Sequence, residues 1–213
     1  MNPAYRILKI ILYTFFKVFY RLEVIGVENI PREGGFIMAA NHVSYLDPPV
    51  IGAVSTRRVR FMAREGLFKI PLLRTFIKVF SFPVRRDKPH PSAIKEAVQR
   101  LRRGELIVMF PEGSRSIDGS LLEAKRGLSV IAAMSRIPVV PAFIKGTEQA
   151  LPVGAKFLRP AKITVIFGSP LAMSNEETEK QFRERINRDI IKEIDILKGK
   201  VEAHGKKKPE SSP

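Results

Sequence analysis

The chain opens on a stretch, residues 5–22, in which apolar and aromatic residues are interrupted by a cation every few positions (Arg6, Lys9, Lys17, Arg21). Its longest uncharged run, residues 10–16, falls far short of the ~20 apolar residues that a spanning helix needs. Glu23-Val24-Ile25-Gly26 offers no small-residue cleavage site, which argues against a signal peptide. Tyr13, Phe15, Phe16, Phe19 and Tyr20 lie among cations able to snorkel. Residues 1–24 are therefore expected to form an amphipathic helical segment at a membrane interface, in preference to an ordinary core helix.

Strand-like apolar runs then alternate with helical patterns. The runs are 35–40, 60–63, 80–84, 105–110, 138–144 and 162–167, and helices are expected over 49–55, 67–78, 92–103 and 127–136. This alternation predicts an α/β fold, a single domain over 25–198 with a mostly parallel or mixed central sheet flanked by helices. A last helix is expected after a capping box of Ser174 and Glu177, with Phe182, Ile186, Ile190, Ile194 and Leu197 along one stripe. Residues 199–213 read as a disordered basic tail.

Composition narrows the chemistry. The absence of cysteine excludes disulfides, thiolate nucleophiles and cysteine-ligated metals. A net charge of +16 calls for an anionic partner: nucleic acid, an acidic membrane surface or a phosphorylated substrate. Residues 57–103 hold 14 Lys and Arg against three acids (Glu65, Asp87, Glu96), so the positive field is concentrated there.

Asn41-His42-Val43-Ser44-Tyr45-Leu46-Asp47 follows the strand predicted at 35–40. On a continuous helix His42 and Asp47 would point roughly 140° apart, so they can meet only across a turn. Pro48 disfavours the α region at Asp47 and suits a first helical position, which puts Asp47 at an N-cap. Two readings follow: a helix cap beside a loop histidine, or a general base with its orienting acid. Their place past a strand's C-terminal end, where open α/β sheets bind ligands, favours the second. After the strand predicted at 105–110 comes Pro111-Glu112-Gly113-Ser114-Arg115-Ser116, in which Glu112 can hold a substrate hydroxyl or order its neighbours and Arg115 can fork onto a phosphate. A third loop, 82–87, carries Arg85 and Arg86. His90 and His204 stand apart from any ligand cluster, so no metal and no cofactor is expected.

Together these loops resemble the glycerophospholipid acyltransferases. The likeness covers roughly residues 25–170 through NHVSYLD at 41–47, FPVRRD at 82–87, FPEGSRS at 110–116 and IPVVPA at 137–142. It implies His42 as general base, Asp47 as its partner, and Glu112 and Arg115 as contacts for the glycerol phosphate, with Arg86 on the second block's arginine. Lys125, in Ala124-Lys125-Arg126-Gly127, matches a downstream element in which alanine replaces phenylalanine. The implied reaction moves a fatty acyl chain from acyl-CoA or acyl carrier protein to the 2-hydroxyl of 1-acylglycerol 3-phosphate. Without cysteine or a GxSxG elbow, the acceptor hydroxyl is expected to attack the thioester directly. Backbone amides near the Gly113 turn are expected to stabilise the oxyanion.

The expected partners are an anionic membrane surface, the lysophospholipid and the acyl donor, not nucleic acid, with the protein peripheral or monotopic on the cytoplasmic face of the cell membrane. Acylation of glycerol 3-phosphate or another lysolipid stays open. So does a non-catalytic basic protein that binds nucleic acid or anionic membrane.

Overall fold

The computed structural model describes residues 3–64, 66, 77, 79–84, 91–116 and 119–207. In chain order the elements are α1 (Pro3–Phe19), β1 (Glu23–Ile25), β2 (Phe36–Ala40), α2 (Asp47–Val54), β3 (Val59–Arg64), β4 (Ser81–Val84), α3 (Pro91–Arg102), β5 (Leu106–Met109), α4 (Arg126–Ser135), β6 (Val139–Lys145), α5 (Thr147–Ala150), β7 (Thr164–Phe167) and α6 (Glu179–Lys207). The strands form one seven-stranded sheet in the order β1-β7-β6-β2-β5-β3-β4. Strands β6, β2, β5, β3 and β4 run parallel, whereas β7 is antiparallel to β6, with Lys145 opposite Thr164. The sheet is mixed, as its apolar runs allow.

Alternation along β2 explains why its five residues are all apolar and buried. Phe36, Met38 and Ala40 face a cluster that includes Tyr5, Phe16, Val50 and Ile51 of α1 and α2. Ile37 and Ala39 face a second cluster with Leu101 of α3, Leu128 and Ile131 of α4, and Phe182, Ile186 and Ile190 of α6. Helices thus cover both sheet faces, and a strand buried on both reads as a continuous hydrophobic run.

Three expectations need correction. The last helix begins at Glu179, not at the Ser174–Glu177 box: Thr178 Oγ1 accepts the Gln181 amide and Gln181 Oε1 accepts the Thr178 amide, so the reciprocal box is one turn later. Glu177 Oε2 still accepts the Ser174 amide at 3.4 Å, half of the expected box, and its carboxylate is held by Arg185, with Nε donating to Oε1 and Nη2 to Oε2, each at 2.8 Å. The same helix runs on through Lys207 with Val201 buried, so 199–207 is not a disordered tail, because the apolar stripe extends one turn past Leu197. Asp47 is the first residue of α2, not its cap, for reasons given below. The helix expected over 67–78 lies almost wholly outside the described residues.

Helix α1 buries Tyr5 and Phe16 while Ile7, Ile10, Ile11 and Val18 are about 60% exposed. No described helix is long and apolar enough to cross a membrane.

Candidate active site

The C-terminal ends of β2 and β5 are neighbours in the sheet, which brings the loops that follow them together. Asn41 sets the exit of the first loop. Its amide nitrogen donates to Ile144 O (3.0 Å) and its Oδ1 accepts the Ile144 amide (2.7 Å), so a side chain continues the β2–β6 ladder for one more residue. The backbone is then free to turn at His42.

His42 Nδ1 lies 2.8 Å from Asp47 Oδ2, and the same oxygen accepts the Val43 and Ser44 amides, each at 2.8 Å. Thr147 Oγ1 donates to the other oxygen at 2.6 Å. Asp47 is fully buried, and these four donors replace the water it has lost. Its carboxylate points back into the preceding turn, away from the amides of α2, which is why it does not cap that helix. Ser44 locks the turn as its hydroxyl donates to Leu151 O (2.8 Å) and accepts the Leu46 amide (3.1 Å).

With the Nδ1 hydrogen on Asp47, the imidazole presents Nε2 as an acceptor, and no described group pairs with Nε2. The His42 side chain is 18% exposed. Phe110 stacks on its ring at 4.0 Å between centroids and 15° between planes, which fixes the imidazole plane.

Glu112 is buried and joins the two loops. Its Oε1 accepts the His42 amide (3.0 Å) and its Oε2 accepts the Leu122 amide (3.1 Å), while the Ser116 amide donates to His42 O (2.8 Å). Of the two roles open to Glu112, the geometry supports ordering its neighbours, since each oxygen already holds a backbone amide. Burial pushes its carboxyl above the ordinary glutamate range, against the downward pull of the Leu122 and His42 amides.

Gly113 has φ 71°, a conformation costly for side-chain-bearing residues, and a Cβ there would lie 2.7 Å from Lys125 Cδ and 3.1 Å from Lys125 Nζ. Lys125 therefore lies over the Gly113 turn, anchored by its amide to Pro111 O (2.9 Å). The Gly113 amide donates to Phe110 O at 3.0 Å, so it closes the turn and is not available to an oxyanion. The Arg115 guanidinium lies 3.5 Å from the centre of the exposed Tyr45 ring, and its buried Nη1 has no hydrogen-bond partner among the described residues. His42, Asp47, Glu112, Gly113, Arg115 and Lys125 thus belong to one cluster; Arg85 and Arg86 lie outside the described residues.

Sequence reasoning assigned no role to Asn41, Ser44, Phe110 or Thr147. The first three sit inside the motifs quoted for the family and could have been questioned there. Thr147 lies 100 residues beyond Asp47 in a segment without any motif, so nothing local marks it.

The acyltransferase family model matches residues 21–145. The chain is 33% identical over 152 residues to 1-acyl-sn-glycerol-3-phosphate acyltransferase of Bacillus subtilis (strain 168), a match that spans 70% of this chain and 73% of that protein. It is 29% identical over 158 residues to the chloroplastic 1-acyl-sn-glycerol-3-phosphate acyltransferase LPAT1 of Arabidopsis thaliana, spanning 72% of this chain but only 44% of the longer plant protein. The crystal structure of the 1-acyl-sn-glycerophosphate acyltransferase PlsC from Thermotoga maritima superposes with a TM-score of 0.75 at 29% identity, covering 93% of this chain and 84% of that one.

Proposed function

This chain belongs to the acyltransferase family and is an acyl-transferring enzyme, and we propose that it moves a fatty acyl chain from acyl-CoA or acyl carrier protein to the 2-hydroxyl of 1-acylglycerol 3-phosphate, yielding phosphatidic acid. The observation that carries the mechanism is the 2.8 Å contact between His42 Nδ1 and the buried Asp47. It selects the tautomer whose Nε2 can take a proton. The acceptor hydroxyl gives its proton to Nε2 as its oxygen attacks the thioester carbonyl. Asp47 stabilises the imidazolium, the carbon–sulfur bond breaks, and the proton passes to the departing thiolate. No acyl-enzyme forms.

Arg115 and Lys125, joined by Arg86 or Arg85, bind the acceptor phosphate and so aim its hydroxyl at His42. Support comes from the way Lys125 and Arg115 flank one turn beside the base. The apolar outer face of α1 rests on the anionic cytoplasmic face of the cell membrane, where the lysolipid resides. Glu112 holds the His42 loop.

The test is transfer by the purified protein to a panel of lysolipids and glycerol 3-phosphate with both donor types. His42→Ala should abolish turnover with the fold intact, and retained turnover would remove His42 as base. Substitution of Arg115 should raise the acceptor KM strongly and the donor KM little, whereas an equal rise in both would count against phosphate binding.

A further inference from the structure

At the end of the sheet's strands opposite His42, a cleft of about 430 Å³ opens between the turn Thr56–Arg58, Arg60 and the segment Gly104–Leu106. It lies at the N-terminal ends of β3 and β5, where Val59 pairs with Leu106. A five-residue strand separates it from the His42 loop by about 17 Å, so it is not part of the catalytic cluster.

Its arginines differ in what they do. Arg57 is structural, its guanidinium bracing the carbonyls of Pro31, Gly34 and Gly104. Arg60 shares Glu105 with Arg100, at 3.4 and 3.2 Å, while Arg100 also holds Glu96 at 2.7 Å. Arg58 makes no hydrogen bond or ion pair among the described residues, and its Nε is buried without an acceptor. Burial, with the neighbouring charges of Arg58 and Arg100, holds Arg60 below the ordinary arginine value against the upward pull of Glu105. Buried donors are normally satisfied, so an unpartnered guanidinium nitrogen beside a cationic cleft calls for an anionic acceptor.

We propose that Arg58 and Arg60 form a second phosphate site, which takes the headgroup phosphate of an anionic membrane lipid. The Arg58 guanidinium lies 5.5 Å over the ring of Tyr5, at the start of α1, and the Tyr5 hydroxyl accepts the Val59 amide. The cleft is therefore tied, through the buried Tyr5, to the first turn of the helix whose outer face is apolar. The choice of a lipid source rests on α1 as the membrane-facing element; the phosphate chemistry does not.

Co-sedimentation of the full chain with phosphatidylcholine vesicles, with and without phosphatidylglycerol, tests the assignment. R58Q/R60Q should bind phosphatidylglycerol vesicles about thirtyfold more weakly, from ~1 kcal/mol per arginine near an anionic surface. Binding to pure phosphatidylcholine and turnover on detergent-dispersed lysolipid should be unchanged. R58Q alone disturbs no protein hydrogen bond and should lose about fivefold, which separates the effect from misfolding of the double variant. K192Q/K200Q, at exposed positions on α6 with the same change in net charge, should lose far less. An equal loss in that control overturns the site in favour of long-range charge. Retained phosphatidylglycerol affinity in R58Q/R60Q overturns the headgroup assignment, and stabilisation of the wild type alone by inorganic phosphate would then identify a soluble phosphate ligand. Failure of wild-type protein to bind either vesicle would strike at α1 instead.

Discussion

Thr147 Oγ1 donates to Asp47 Oδ1 at 2.6 Å, across 100 residues of chain. Asp47 Oδ2 is occupied by His42 and two amides, so Thr147 provides the one described contact that steadies the opposite oxygen. The hydroxyl sits in the first turn after β6 and therefore ties a third strand end to the base.

Thr147→Val keeps the shape and removes the donor. A hydrogen bond to a charged group is worth ~1.5–3 kcal/mol, and part of that loss should fall on the orientation of His42. The expected outcome is a drop in kcat of about tenfold with little change in either KM, rescued by Thr147→Ser. A purely structural role would lower Tm without the split between kcat and KM, and serine would not restore the rate.

Glu112 sets a pH dependence of stability. Its carboxyl is raised in the folded chain, so the folded form holds this proton more tightly than the unfolded chain does. Its contribution is therefore fully present below the ordinary value of 4.5 and is lost as pH rises through the raised value. In urea titrations between about pH 4 and about pH 7, the stability advantage of wild type over Glu112→Gln should shrink as pH increases. An advantage that grows with pH would mean that the His42 and Leu122 amides outweigh burial.

Tyr45 positions Arg115. The stacked guanidinium gains ~0.5–1 kcal/mol at an exposed ring, so Tyr45→Ala should raise the acceptor KM about two- to fivefold and leave the donor KM unchanged. Tyr45→Phe keeps the ring face and should be silent. Steady-state kinetics with each substrate varied in turn reads the difference.

Helix α1 predicts opposite phenotypes from its two faces. Phe16 is 1% exposed, so Phe16→Ala should cost ~3–5 kcal/mol of stability. Ile10 and Ile11 are each nearly 60% exposed, so replacing both by Gln should leave Tm near its wild-type value while weakening vesicle binding. Thermal denaturation and co-sedimentation on the same preparations measure both.

Much of the fold was legible because its elements bury themselves on a regular period. The run Phe36–Ala40, the helical spacing of Ala97, Val98 and Leu101, and the stripe from Phe182 to Leu197 each declare their type locally. Short elements did not. Strand β1 spans three residues and α5 four, too few to show a period, and both are held by neighbours. The end of α6 was misjudged because lysine-rich composition masked Val201, whose burial only packing reveals.

At the site, the residue types and the loops that carry them are legible along the chain: a histidine five residues before a carboxylate, and a glutamate and arginine in a turn after another strand. Those follow from local spacing and from which strand ends precede them. Tertiary structure alone decided that the Asp47 carboxylate turns back to His42 and does not cap its helix, that Glu112 braces a loop with both oxygens, and that Thr147 completes the shell around Asp47. The reason is physical: a buried carboxylate must find its donors wherever the packed chain brings them, and for Asp47 they come from residues 42–44 and from a turn 100 residues away.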